Sequence, residues 1–215
     1  MIFEIDNVEL SFKSKRILGG IYLKAETGRV TSVLGRNGCG KSSLMNIAFG
    51  NLRPKYKMVR IDKKPIQIPL YKTNLVKFLP QYNFIPSRLK LSFAFKLYGV
   101  NWTDFIEHFE GFLKYKNSKF NQLSGGERRV VETFIILKSK SKIIFLDEPF
   151  SHIAPLYVER IKTLILEEKK EKVVILSDHM YEHVIDCSDD IYLIKNGATK
   201  KINELTELED YNYLN

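Results

Sequence analysis

The sequence predicts an α/β fold with a mostly parallel sheet, an antiparallel β portion ahead of it and a helical block inserted between strands. Three observations carry this. Apolar runs at 75–79, 142–146, 173–177 and 190–194 alternate with helical stretches, which is the pattern of a parallel sheet covered on both faces. Earlier runs at 2–10, 20–24, 30–34 and 58–68 are closely spaced and read as strands, several of them antiparallel. Between the two sets, LKLSFAFKLYG and WTDFIEHFEGFLKY lie within 88–117 and carry aromatics at helical spacing, so that block reads as a helical insert whose rings fill a core.

No internal repeat, low-complexity segment or long linker divides the 215 residues, so one domain spanning 1–215 is expected. A 44% hydrophobic composition is that of an ordinary soluble protein, and no run approaches the 18 apolar residues of a membrane helix. Glu4 and Asp6 stand where a secretory signal would be basic and then apolar. A cytosolic chain that meets membrane only through a partner is the expectation. With Cys39 and Cys187 as the only cysteines, no disulfide framework is expected. The formal charge of +9 is spread along the chain. A solvated basic surface is the first reading, anionic lipid headgroups the second and nucleic acid the third.

The strand VTSVL (30–34) runs into GRNGCGKSS. Gly35, four intervening residues, then Gly40, Lys41 and Ser42 fit the P-loop pattern. Its glycines (Gly35, Gly38, Gly40) let backbone N–H groups of Arg36, Asn37, Cys39 and Ser43 turn towards phosphate at a helix start. Lys41 supplies a point charge for the β and γ phosphates, and the Ser42 hydroxyl is a Mg²⁺ ligand. Cys39 is read first as a small residue the loop tolerates. A thiol acidified by the helix start and Lys41, and shielded by bound nucleotide, is the sharper alternative.

KIIFLDE then places Asp147 and Glu148 side by side after four apolar residues. Strand alternation turns them to different sides, so Asp147 can face the metal and Glu148 the attacking water as general base. An exposed acidic turn is the plain alternative; the P-loop upstream weighs against it.

LSGGERR (123–129), upstream of FLDEP, resembles the signature motif of the ATP-binding cassette (ABC) ATPases. Ser124 followed by Glu127 also reads as a helix N-cap and capping box, compatible with an anion site at Gly125 and Gly126. The resemblance spans essentially the whole chain. It implies that Gln81, in FLPQ, is the Q-loop glutamine that contacts Mg²⁺ and water. It implies that His179, in ILSDH, is the switch histidine that contacts the γ-phosphate and positions Glu148. Phe12, in LSFKSKRIL, matches the position that stacks on adenine; a core aromatic on an edge strand is its alternative. The fold implied is a P-loop NTPase core with an antiparallel β subdomain and a helical subdomain over roughly 82–135. The partners implied are a second ABC ATPase subunit, identical or not, whose Ser124–Glu127 equivalent completes each ATP site, and an integral membrane permease.

Two features depart from that family's pattern. Ser151, His152, Ile153 and Ala154 replace a run resembling S-A-L-D, so an acid linking the two sites is absent. Lys57 stands where a glycine is frequent. The leading expectation is the ATP-hydrolysing subunit of an ABC transporter, peripheral on the cytoplasmic face and docked through Tyr82 to Leu91. A non-transport cassette, for example in iron–sulfur assembly, is the alternative. A binding-only regulator is the third reading, opposed by the presence of Glu148 and His179.

Overall fold

The computed structural model describes residues 1–210 and 213. The chain begins with a hairpin, β1 (Ile2–Phe12) and β2 (Lys15–Glu26), then β3 (Val30–Leu34) and helix α1 (Lys41–Phe49). After β4 (Tyr56–Ile61), β5 (Lys64–Pro65) and β6 (Val76–Leu79) come α2 (Leu91–Tyr98), α3 (Trp102–His108) and the long α4 (Gly125–Lys138). The remainder alternates: β7 (Ile143–Asp147), α5 (Pro155–Glu168), β8 (Val173–Ser177), α6 (Tyr181–Cys187), β9 (Asp190–Lys195), β10 (Ala198–Ile202) and α7 (Thr206–Asp210).

Two sheets form. One is antiparallel with order β2-β1-β4-β5. The other runs β10-β9-β3-β8-β7-β6, parallel throughout except for β10 at its edge. The continuous apolar runs follow from burial on both faces. Along β7, Ile143 and Phe145 enter one core cluster, while Ile144 and Leu146 enter the other. β8 divides in the same way, with Val173 and Ile175 opposite Val174 and Leu176. The first cluster also takes Leu44, Met45 and Ile47 of α1 with Phe3, Ile5 and Leu23 of the hairpin, so α1 is held between the two sheets. The second holds α4, α5 and the helical block.

The aromatics of that block are core. Phe105 meets Phe95, Phe109, Phe112 and Phe134 with ring centroids 5.0–5.2 Å apart, and all five are buried. Each such pair adds about 0.5–1.5 kcal/mol beyond its buried area.

Three expectations need correction. Residues 58–68 are not one strand: Asp62 and Lys63 both take positive φ (48° and 66°) and turn the chain into the short β5. WTDFIEHFEGFLKY is not one helix; it breaks at Phe109 (φ −136°, ψ 62°) and continues as a 3-10 turn over Glu110–Tyr115. Phe105 before the break, Phe109 at it and Phe112 after it all enter the same cluster. β10 was not foreseen, although Asn196-Gly197, both at positive φ, is a hairpin turn signal. Lys57, in place of the expected glycine, lays its ammonium on the carbonyl of Ile47 in the last turn of α1 at 3.0 Å. Burial pulls its pKa down there.

Candidate functional site

The phosphate loop joins β3 to α1, and glycine is required at two points in it. At Gly35 (φ 152°) a Cβ would sit 2.5 Å from Cys39 Sγ and 2.9 Å from the carbonyl of Ile194. At Gly40 (φ 111°) it would sit 2.6 Å from a Leu18 methyl. Lys41 is buried, and its ammonium donates to the carbonyls of Gly35 (2.7 Å) and Arg36 (3.4 Å). The lysine is thus held across its own loop.

A cleft of about 660 Å³ opens beside this loop. Asn37, Gly38, Gly40, Lys41, Ser42 and Ser43 form one wall. Gln81, Glu148 and His179 face them, and Phe12 with Ile17 closes one end. Phe12 is 51% exposed, which rules out the core-aromatic alternative. Arg36 and Cys39 line a separate cavity of about 350 Å³ with residues of β9.

At Cys39 burial pushes the thiol pKa up, against the opposing pull of Lys41 and backbone N–H groups, which favours the small-residue reading over the acidified thiol. Cys187, buried more deeply, is pushed up to about 12. Iodoacetamide should therefore modify Cys39 more slowly than a free cysteine at neutral pH, and Cys187 more slowly still, as followed by intact mass. Faster labelling of Cys39 than of a small-molecule thiol would restore the redox-sensitive alternative.

Asp147 ends β7 almost wholly buried. Its Oδ1 accepts from the Ser177 hydroxyl at 2.7 Å. Burial pushes its pKa up, while hydrogen bonds from Ser177 and Ser42 pull it down. Its Oδ2 finds no partner among the described residues. An unpaired buried carboxylate oxygen, on the same group that the Ser42 hydroxyl reaches, has the chemistry of a hard-cation site.

Glu148 lies beyond the strand, so simple alternation does not separate the two acids. A positive φ of 56° does so, with the Glu148 N–H donating to the carbonyl of Ser177 at 2.6 Å. Its Oε2 lies 3.2 Å from Ser151 Oγ and 3.6 Å from His179 Nδ1. His179 Nδ1 is also 3.3 Å from Asp178 Oδ1. Asp178 is buried and accepts from the N–H groups of Phe150 (2.9 Å) and Met180 (3.0 Å). It thereby ties the loop after the two acids to the loop carrying His179. Sequence reasoning missed Asp178, Ser177 and Ser151, although the first two directly precede His179 and Ser151 follows the acids by three residues.

Ser124 to Glu127 do not line this cleft. They start α4 in the expected capping box: Ser124 Oγ accepts from the Glu127 N–H (3.2 Å), and Glu127 Oε2 accepts from the Ser124 N–H (2.8 Å). Burial pushes the Glu127 carboxyl up, but the bonds to Ser124 and other neighbours leave it below its usual value. Gly125 begins the helix, and Gly126 is pressed against the loop after the acids, where a Cβ would lie 2.3 Å from the carbonyl of His152.

The family model described as ABC transporter matches residues 18–151. The chain belongs to the ABC transporter family. Among curated relatives, it is 24% identical to the uncharacterized ABC transporter ATP-binding protein YhaQ of Bacillus subtilis, over 95% of this chain and 72% of that one. It is 28% identical to the arabinose import ATP-binding protein AraG of Mannheimia succiniciproducens, over 90% of this chain but only 42% of the relative. It is 26% identical to the lipopolysaccharide export system ATP-binding protein LptB of Haemophilus influenzae, over 91% and 88%. Solved structures share the cassette fold. An ATP-binding subunit of an ABC transporter superposes with TM-score 0.81 at 18% identity, covering 99% of this chain and 94% of that one. A bacterial Atm1-family ABC exporter with ATP bound gives 0.83 at 18% identity, over 97% and 40%. This cassette is an ATP-binding subunit of ABC-transporter type and an ATPase. Among its described residues no helix is long and apolar enough to cross a membrane.

Proposed function

We propose that this cassette holds Mg²⁺·ATP in the 660 Å³ cleft and hydrolyses it to drive transport through a separate membrane permease. The supporting observation is the cleft itself: the phosphate loop faces Glu148 and His179, while Asp147, buried and with Oδ2 unpaired among the described residues, interacts with Ser42. Phe12 stacks on the base. Lys41 exchanges the Gly35 and Arg36 carbonyls for phosphate oxygens, and the loop N–H groups hold the rest of the triphosphate. Asp147, Ser42 and Gln81 would hold the magnesium ion, which would neutralise charge on the phosphates. Glu148 takes a proton from the attacking water, and His179, with Asp178 behind it, orients Glu148 and meets the γ-phosphate. Because Ser124 to Glu127 stand outside the cleft, they serve the ATP of a second cassette paired head to tail. The N-terminus of α4 is then the anion site offered to that neighbour.

The permease would dock beside Gln81, in a groove of about 280 Å³ lined by Phe49, Tyr71, Phe84 and Tyr98. Tyr82, 66% exposed, stands at its edge. Docking there would hold the cassette on the cytoplasmic face. Purification of the tagged chain from detergent-solubilised membranes should bring down a multi-span protein, and Tyr82→Arg should weaken that capture without changing ATP binding. Recovery of soluble complexes alone, with wild type and variant alike, would reject the transporter reading in favour of a soluble assembly.

A further inference from the structure

Arg129, on α4 five residues after Ser124, joins several parts of the site without lining the cleft. It is 5% exposed. Its Nη1 donates to the carbonyl of Pro80 at 2.7 Å, immediately before Gln81. Its Nη2 donates to the carbonyls of Asp147 and Glu148, the latter at 3.0 Å, and its Nε reaches Glu148 at 3.2 Å. One planar guanidinium thus fixes three main-chain carbonyls that belong to Gln81's neighbour and to both acids. Burial weakens its hold on its proton, while Glu132, Asp147, Asp178 and Glu148 oppose that, so it is also the buried counter-charge of the acid cluster.

The same helix holds the other end of the Gln81 segment. Glu132 accepts from the N–H of Ile85 at 3.2 Å, Arg128 donates to the Ile85 carbonyl, and the two side chains pair at 3.1 Å. Residues 81–83 between these anchors are exposed. The segment carrying Gln81 is therefore a strap pinned at both ends to the helix that begins with Ser124.

We propose that Arg129 is a positioning residue that fixes Gln81, Asp147 and Glu148 relative to one another. A displacement of the strap at Gln81 is then carried to both acids through one rigid side chain. No other residue type reproduces this geometry: a lysine ammonium is a single point and cannot serve three carbonyls along a planar fork. The inference rests on the proposed roles of Glu148 and Gln81, and Glu148→Gln tests those roles separately.

The test compares Arg129→Lys and Arg129→Met with Lys172→Met. Lys172 donates to the carbonyls of Leu137 (2.5 Å) and Ser139 (3.1 Å) at the far end of the same helix. Its loss strips buried carbonyls there without touching the site. All are assayed well below their melting temperatures. Arg129→Lys should lower kcat by about 10–10²-fold, the scale of a small misplacement of reacting groups. It should also raise the Mg²⁺ concentration for half-maximal rate, with KM for ATP nearly unchanged. Arg129→Met should do the same or more strongly; if it does not fold, Arg129→Lys, which keeps the buried charge, carries the test. Lys172→Met should lose melting temperature but keep kcat and Mg²⁺ dependence. Unchanged kcat in Arg129→Lys, or an equal kcat loss in Lys172→Met, would reduce Arg129 to a structural tie. Should Glu148→Gln itself retain turnover, the proposed chemistry fails first and independently.

Discussion

Glu148→Gln is expected to lower ATP turnover by about 10²–10⁴-fold, the usual contribution of a positioned general base, while leaving ATP affinity within a few-fold of wild type. The asymmetry follows from geometry. Glu148 contributes its side chain to the cleft but reaches Ser151 and His179, not Lys41 or the loop glycines. Glutamine keeps the volume and can still accept from the Ser151 hydroxyl, so the left-handed turn and its bonds to Ser177 and Arg129 persist. What is lost is the basic oxygen. With hydrolysis blocked, the variant should accumulate as an ATP-bound pair, read by size-exclusion chromatography with and without Mg²⁺·ATP. Phosphate release measures the turnover. Wild-type turnover in this variant would remove Glu148 from the base role, and normal ATP affinity with no pair would separate chemistry from dimerisation.

How far the sequence alone led depends on how local each cause is. The placement of Lys41 and Ser42 at a strand-to-helix loop and of Asp147 at a strand end was legible because a phosphate loop and an acid pair are written in consecutive residues. The parallel strands were legible because burial on both faces forces apolar residues at the first four positions of β7 and of β8. The capping box at Ser124 and Glu127 was legible for the same local reason. Arg129 was not, because its meaning lies in Pro80, Asp147 and Glu148, which only folding brings to it. At Cys39 the local cues, a helix start and Lys41, favour the thiolate of the alternative reading, whereas burial, which no local pattern reports, opposes it more strongly and agrees with the first reading of a small tolerated residue. The break at Phe109 was not legible, because the i, i+4, i+7 spacing of Phe105, Phe109 and Phe112 is that of one continuous helical face. The adjacent acids were expected to diverge by strand alternation, whereas Glu148 leaves the strand through a positive φ.

The second large effect has opposite signs for stability and for activity. Asp147 is buried, with one oxygen bonded to Ser177 and the other without a partner among the described residues. Burial raises its pKa, so the folded chain binds this proton more tightly than the unfolded chain does. Stability from this group is therefore greatest at pH below the unfolded carboxyl value. It declines as pH rises through the window up to the raised folded value, and at neutral pH the charged form stands as a net cost. Asp147→Asn removes that charge while keeping an acceptor for Ser177 and offering a donor to Ser42. Without metal and nucleotide, the variant should melt higher than wild type at pH 7. A gain of about 1 kcal/mol corresponds to about 2–4 °C for a chain of this size. The difference should shrink as pH falls and the wild-type carboxyl takes up its proton. Turnover should nevertheless fall by about 10²–10³-fold, a loss of the size seen when one preorganised charge-stabilising group is removed. Mg²⁺·ATP should also raise the melting temperature of wild type more than that of the variant. Such a trade of stability for function is expected where a buried carboxyl is left with an unpaired oxygen for a cation that arrives with the substrate. Melting curves from pH 5 to 8, with and without Mg²⁺·ATP, read both signs at once. An Asp147→Asn chain that is less stable at pH 7 and hydrolyses ATP normally would make this carboxylate a structural acid and deny it the metal.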